Sequence, residues 1–202
     1  MDEATQRTIA AYAEHAVAYA QGTARYDDYP QVARIMNHCE RRLNRGSVVL
    51  DIGCGAGRES RFFAGRGHKV VAVDLCAPLL ETWHPSGSVL RVVGDMRKLP
   101  LPDEVGDALV ATSSIIHLPP DDLNGTMLEF RRALVVGGVL LLTFPVVPSS
   151  GWFTRESLPA PRWFSRFSIA DIQATLRRSG FAGAAFQNSG TDWISVFARK
   201  HQ

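Results

Sequence analysis

Val48-Val49-Leu50-Asp51-Ile52-Gly53-Cys54-Gly55-Ala56-Gly57-Arg58 joins an apolar run to three glycines at alternate positions, and Glu59 to Arg66 continues as a helix. The run reads as a buried parallel strand, the glycines as a tight turn where backbone approaches a ligand, and the rest as a helix N-terminus. A side chain at Gly53 or Gly55 would occupy the space such a ligand needs. Binding of a nucleotide-like small molecule is the first expectation.

Spacing narrows the nucleotide. The dinucleotide fingerprint G-x-G-x-x-G sets its pyrophosphate on the helix N-terminus. Here Arg58 stands where its last glycine belongs, and Asp51 lies just before the turn, which argues against a NAD(P)-dependent dehydrogenase. An acid there repels pyrophosphate and suits a ligand carrying positive charge. A second strand, Lys69-Val70-Val71-Ala72-Val73, ends in Asp74, 23 positions after Asp51. An acid at the end of strand two grips ribose hydroxyls. An adenosine-bearing cationic amino acid suits both acids, and S-adenosylmethionine is the candidate.

Three further segments extend the pattern: Val93-Gly94-Asp95-Met96-Arg97-Lys98-Leu99-Pro100, Val105-Gly106-Asp107-Ala108-Leu109-Val110, and Phe130-Arg131-Arg132-Ala133-Leu134 with Gly137-Gly138. With the glycine turn they resemble, in order, the motifs of class I S-adenosylmethionine-dependent methyltransferases, over about Val48 to Arg199. The resemblance implies an α/β, three-layer Rossmann-like fold, with a seven-stranded, mostly parallel sheet in the order 3-2-1-4-5-7-6. It also implies one methyltransferase domain over 1–202: an N-terminal helical lid over 1–45, and a core over 46–202 that carries a substrate-loop insertion at 145–167.

Composition agrees. The chain has 202 residues, 46% hydrophobic and 21% charged, with a net charge of +2, ordinary values for one soluble domain. Its arginines and lysines are scattered, whereas a nucleic-acid footprint concentrates basic charge. Cys39, Cys54 and Cys76 are an odd count without C-x-x-C spacing, which points to a reducing compartment and to neither disulfides nor zinc. The start lacks a basic and apolar leader, and no apolar run reaches spanning length. A cytoplasmic protein acting on a small molecule, with no nucleic-acid or membrane partner, is expected; its oligomeric state is left open.

Helices are expected over Glu3–Ala20, Tyr29–Arg42, 58–66, 77–83, 120–135 and 168–179, and strands over 48–51, 69–74, 89–93, 107–112, 138–144, 182–187 and 192–199. Alternation of the two implies a parallel sheet with helices on both faces. The last two strands, joined by Asn188-Ser189-Gly190-Thr191, form an antiparallel hairpin. The site then lies beyond the carboxyl ends of the strands, above Asp51, Asp74, Asp95 and the segment after Thr112.

The resemblance assigns roles residue by residue. Gly53 and Gly55 let main chain approach the methionine portion, and Asp51 orients the turn or reaches the amino group through water. Asp74 accepts from both ribose hydroxyls, and Leu75 lies against adenine. Asp95 accepts from the exocyclic amine or merely caps a turn, and Met96 donates its N–H to the ring. Arg58 reaches the cofactor carboxylate or lies in solvent. Tyr19 and Ser113 complete the cofactor set. No metal ligands stand after strand four, which favours metal-independent transfer.

Transfer from a sulfonium needs alignment and exclusion of water. His117, just past strand four, is the candidate catalytic base; the alternative is a histidine that hydrogen-bonds main chain and shapes the pocket. Tyr12, Tyr19 and Tyr26, seven residues apart, share one helical face if the helix reaches that far, either as core or as part of a lid. The proline- and aromatic-rich stretch 145–167 reads as a long binding loop. Trp152, Phe153 and Trp163, with Phe164, suggest an apolar, aromatic acceptor flanked by arginines, so that Tyr12, His117, Trp152, Phe153 and Trp163 form the substrate set. Ser168-Ile169-Ala170-Asp171 reads as a helix cap. The absence of an Asn/Asp-Pro-Pro-aromatic motif and of a cysteine near strands four and five excludes amino-methylating and pyrimidine C5 subclasses. Two other functions stay open: a non-methylating enzyme that binds S-adenosylmethionine, of cyclase or pericyclase type, and a non-catalytic partner subunit.

Overall fold

A computed structural model describes residues 1–23, 25–26, 30–85, 87–188 and 193–202. The elements are α1 (Glu3–Glu14), α2 (Ala16–Thr23), α3 (Pro30–Glu40), β1 (Val48–Ile52), α4 (Arg58–Ala64), β2 (Lys69–Asp74), α5 (Ala77–Glu81), β3 (Val89–Val93), β4 (Gly106–Thr112), α6 (Leu123–Ala133), β5 (Leu134–Pro145), β6 (Gly151–Arg155), β7 (Leu158–Phe164), α7 (Ile169–Arg178), β8 (Phe181–Asn188) and β9 (Trp193–Lys200). Single 3-10 turns cover Ile115–His117 and Pro120–Asp122.

The main sheet runs β3-β2-β1-β4-β5-β9-β8. Its first five strands pair in parallel, and β9 joins antiparallel to both β5 and β8. This is the order expected from sequence once the two strands inserted before β8 are counted. The central strands are apolar on both faces because helices cover both. Leu50, Leu109, Leu140 and Leu142 pack with Met127 and Phe130 of α6 and Leu176 of α7. Their neighbours Val49, Val110 and Leu141 face the other way, onto Met36 and Cys39 of α3 and Phe62 and Phe63 of α4. Alternation along each strand thus divides the core into two layers.

Four expectations change. The first helix breaks at His15 (φ −111°, ψ 17°), and beyond the break Tyr19 meets Tyr12 edge to face, with ring centroids 5.1 Å apart. Tyr26 lies beyond α2 and packs on Phe62. The helix over 120–135 starts later and stops at Ala133, where Leu134 pairs with Gly106 and begins a longer β5. The stretch 145–167 is no plain loop: β6 and β7 form a separate antiparallel hairpin. Trp152 opposite Trp163 stabilises it, with ring centroids 5.8 Å apart. Pro159 and Pro161, which favour a loop reading, are tolerated because both strands of a two-stranded sheet are edges. The expected start of a helix at Tyr29, and residues 189–192 between the last two strands, lie outside the described residues.

Ser168 does cap α7. Its Oγ accepts from the Asp171 N–H at 3.1 Å, and the Asp171 carboxylate accepts from the Ser168 N–H at 3.0 Å, a closed capping box.

Candidate active site

The strand order reverses at β1, with β2 on one side and β4 on the other, so the loops leaving their carboxyl ends diverge and open a crevice. α1 and α2 roof it. The crevice holds about 830 Å³ of free space, between Thr5, Ile9 and Tyr12 above and the ends of β1, β2, β3 and β4 below.

At its floor, Gly53 and Gly55 hold φ of 70° and 52°, a region that penalises side chains. The two glycines serve different ends. A Cβ on Gly53 would collide with the Ser114 side chain, whereas one on Gly55 would stand 3.7 Å from the Tyr19 ring across the crevice. The space beyond Gly53 therefore belongs to Ser114, whose Oγ donates to the Ile52 carbonyl at 2.9 Å; only at Gly55 does the bare backbone face open space. Ser113, at φ 58°, carries the one kind of strain that tends to concentrate at functional sites.

Asp74 at the end of β2 staples the turn. Its Oδ2 accepts from the Gly55 N–H at 2.7 Å and its Oδ1 from the Cys76 N–H at 2.8 Å. Each oxygen keeps a further lone pair. Burial pushes this carboxyl above the usual carboxylate range, and the backbone N–H groups oppose that. Asp95, past β3, pairs with Arg97 at 2.7 Å. Arg97 also reaches Asp122 at 3.1 Å and Asp2, the N-cap of α1, at 3.2 Å, so one guanidinium ties the roof to the rim.

Tyr12 separates this crevice from a second chamber of about 900 Å³. Tyr12, Tyr19 and Ser113 line both; Arg155, Arg162, Phe164, Thr143 and Ile194 line the second. A directed chain of hydrogen bonds holds the partition. His117 Nδ1 lies 2.6 Å from the Trp163 carbonyl, which only accepts, so Nδ1 carries the proton. Nε2 then accepts from the Tyr12 hydroxyl at 3.1 Å, and that oxygen accepts from Arg162 Nη1 at 3.0 Å. Both His117 nitrogens are engaged.

Burial depresses the His117 pKa to about 4, helped by the nearby Arg162 charge and opposed by the Trp163 carbonyl. Above pH 6.5, the ordinary histidine value, the ring is neutral folded and unfolded alike. Below it the unfolded chain takes up a proton that the folded chain refuses until about pH 4, so stability is lost as pH falls through that window, by up to about 3 kcal/mol. Urea midpoints at pH 7 and pH 4.5 should therefore fall further for the natural chain than for His117→Phe. Equal losses would contradict the assignment of a neutral, buried ring.

The family described as "Methyltransferase domain" matches residues 50–142. Malonyl-[acyl-carrier protein] O-methyltransferase of Pseudescherichia vulneris is 30% identical over 175 residues, covering 80% of this chain and 68% of the relative. The chain belongs to the class I S-adenosylmethionine-dependent methyltransferase family. With several other relatives of the same name, the chain spans about half their length, 49% to 53%. The tRNA (carboxymethyluridine(34)-5-O)-methyltransferase of Arabidopsis thaliana is 30% identical over 134 residues, 63% of this chain and 30% of the relative. Among solved structures, Burkholderia thailandensis 1,6-didemethyltoxoflavin-N1-methyltransferase, with bound 1,6-didemethyltoxoflavin and S-adenosylhomocysteine, superposes with a TM-score of 0.72. It is 21% identical and covers 100% of this chain and 92% of that one, a likeness of fold.

Within this methyltransferase fold, Tyr19, Gly53, Gly55, Asp74, Leu75, Asp95, Met96 and Ser113 all line the first crevice, together with Tyr12 and His117. Two expected cofactor residues lie elsewhere. Asp51 is 1% exposed and accepts from Ser60 Oγ at 2.6 Å; burial and the neighbouring Glu59 push its carboxyl up. Arg58 pairs with Glu59 at 2.7 Å, lies over the Tyr26 ring and lines the second chamber. Among the aromatics, Trp152, Phe153 and Trp163 line neither space. The hairpin alternates: Trp152 and Trp163 share the face under Arg7, and Phe153 packs against Phe164. Arg162 and Phe164, on the opposite face from Trp163, line the chamber instead. Spacing by two between Arg162 and Phe164, either side of Trp163, is the signal that would have marked them. Among the described residues no group of His, Cys, Asp and Glu could hold a metal ion, and no helix is long and apolar enough to cross a membrane.

Proposed function

We propose that this chain transfers a methyl group from S-adenosylmethionine to a small-molecule acceptor, without a metal, within one unit made of the helical lid 1–45 and the core 46–202. The observation that carries it is the pair of chambers meeting at Tyr12, Tyr19 and Ser113. A cofactor and an acceptor must share such a border for one to pass an atom to the other. The residues of the first crevice suit the cofactor: bare backbone at Gly55, two carboxylate oxygens with spare lone pairs at Asp74, and Leu75 with Met96 as apolar walls. Bound there, S-adenosylmethionine supplies an electrophilic methyl on a sulfonium that departs as a neutral thioether.

The protein's own part is placement. Tyr12 and Tyr19 wall the border, α1 excludes water, and His117 positions the Tyr12 hydroxyl through Nε2 while Trp163 holds its other nitrogen. With both nitrogens engaged, His117 acts as a positioning residue rather than a base. Acceptors among the relatives are as different as an acyl-carrier protein and a tRNA; a second chamber lined by side chains of β7, β9 and α3 is what favours a small one here.

Calorimetry with S-adenosylhomocysteine should show stoichiometric binding, and incubation with S-adenosylmethionine and candidate acids should yield a product heavier by about 14 Da, a methyl in place of hydrogen. Absence of binding would point to a scaffold subunit. Binding with a product that carries no added methyl would point to a non-methylating enzyme.

A further inference from the structure

We infer that the second chamber takes an organic carboxylate and that Arg162 is its anchor; the inference rests on the methyl-transfer reading and names the class of its acceptor. Arg162 is 2% exposed. Its Nη1 donates to Tyr12, but Nε and Nη2 are buried without a hydrogen-bond partner. A buried cation left unpaired is costly, and buried charges in proteins are paired or bind ligands.

The unpaired atoms have a specific shape. Nε and Nη2 form one edge of the guanidinium, two parallel donors that match the two oxygens of a carboxylate. The same edge holds a carboxylate elsewhere in this chain. Arg97 presents Nε and Nη2 to Asp95 at 3.0 and 2.7 Å, and Arg132 presents them to Glu129 at 2.9 and 2.7 Å. At Arg162 that edge meets no acceptor among the described residues. The rings of Tyr12 and Phe164 lie beside the guanidinium, with centroids 5.2 and 5.6 Å from its carbon, and offer that edge no lone pair.

Charge around the chamber points the same way. Arg155 lines it with Arg162, as does Arg58, whose charge Glu59 balances, and among the described residues no Asp or Glu does. An ammonium-bearing acceptor would be repelled, whereas a carboxylate neutralises the wall it enters. Ile116, Phe164 and Ile194 supply apolar surface for the rest of the molecule.

The test compares acids with neutral isosteres on the whole chain: benzoate, phenylacetate and hexanoate against benzamide, phenylacetamide and hexanamide. Thermal shifts are read with and without saturating S-adenosylhomocysteine. At least one acid should raise the unfolding midpoint while its amide does not. By calorimetry, that acid should bind about tenfold or more weakly to Arg162→Gln, the loss of a charged two-point contact, with part of the affinity restored in Arg162→Lys. Acids and amides that behave alike overturn the inference, as does an acid that binds Arg162→Gln as tightly as the natural chain. If Arg162→Gln does not fold, Arg162→Lys decides: a retained charge without the fork should still weaken the acid, and unchanged affinity refutes the anchor. Binding of S-adenosylhomocysteine is scored separately. Its failure would overturn the methyl-transfer reading while the acid–amide difference, measured without it, still reports on Arg162.

Discussion

Replacing Asp74 by Ala is expected to weaken binding of S-adenosylhomocysteine by roughly 100-fold or more. Asp74 sits at the end of β2, lines the first crevice and spends one lone pair of each oxygen on the backbone of Gly55 and Cys76. The remaining pairs suit two vicinal hydroxyls, each worth about 1.5–3 kcal/mol to a charged acceptor, and about 3 kcal/mol together corresponds to roughly 100-fold. The alanine variant also frees the Gly55 N–H, so the turn loses its staple along with its acceptor. Asp74→Asn separates the two effects. It keeps the volume but offers one oxygen, and should fall between, at about tenfold. Calorimetry on variants whose unfolding midpoints are within a few degrees of the natural chain gives the answer. An alanine variant that binds as well as the natural chain would reduce Asp74 to a structural staple.

Gly53→Ala is expected to be the most damaging conservative change in the core of the site. At φ 70° an alanine pays about 1–2 kcal/mol for the left-handed conformation. Its Cβ would also fall on the Ser114 Cβ, and overpacking of that kind costs about 1–3 kcal/mol. Together these predict a loss of about 2–5 kcal/mol and a fall in melting temperature of roughly 5–15 °C. The clash has a defined partner, which makes it testable by a double-mutant cycle. Ser114→Gly alone removes the Oγ bond to Ile52 and should destabilise, yet in the Gly53→Ala background it should recover about 1–3 kcal/mol by vacating the contested space. Strict additivity of the two substitutions would show that the collision is relieved by backbone movement.

Much of this was legible because the informative residues act locally. Three glycines after an apolar strand announce a turn whatever lies around them, and an acid at the end of the next strand needs only that strand to be positioned. Hence Asp74 is placed at the rim by its strand alone, whereas the sheet order and the places of Leu75, Asp95 and Met96 beside it are what the family resemblance implied. Asp51 shows the limit. Its place before the turn suggested either a role in orienting the turn or a ligand contact through water, and whether a carboxylate turns to the crevice or to Ser60 depends on how α4 docks, which no local pattern specifies. The hairpin shows a second limit. Pro159 and Pro161 hide a strand from any propensity rule, and without the strand the alternation that separates Trp163 from Arg162 and Phe164 is invisible. Of the aromatic residues that drew attention to this segment, Phe164 lines the second chamber and Trp152, Phe153 and Trp163 do not. Likewise His117 lines the first crevice just past β4, while its engagement with Tyr12 and Trp163 arises only when α1 and β7 close on it.

α1 spans both rooms. It is latched to the body through Asp2 on Arg97, through the Thr8 hydroxyl that accepts the Trp163 N–H at 3.0 Å, and through Tyr12 on His117 and Arg162. Any departure of α1 from the body must therefore break these latches together, the ones beside Tyr12 and Arg162 as well as the salt bridge at Asp2.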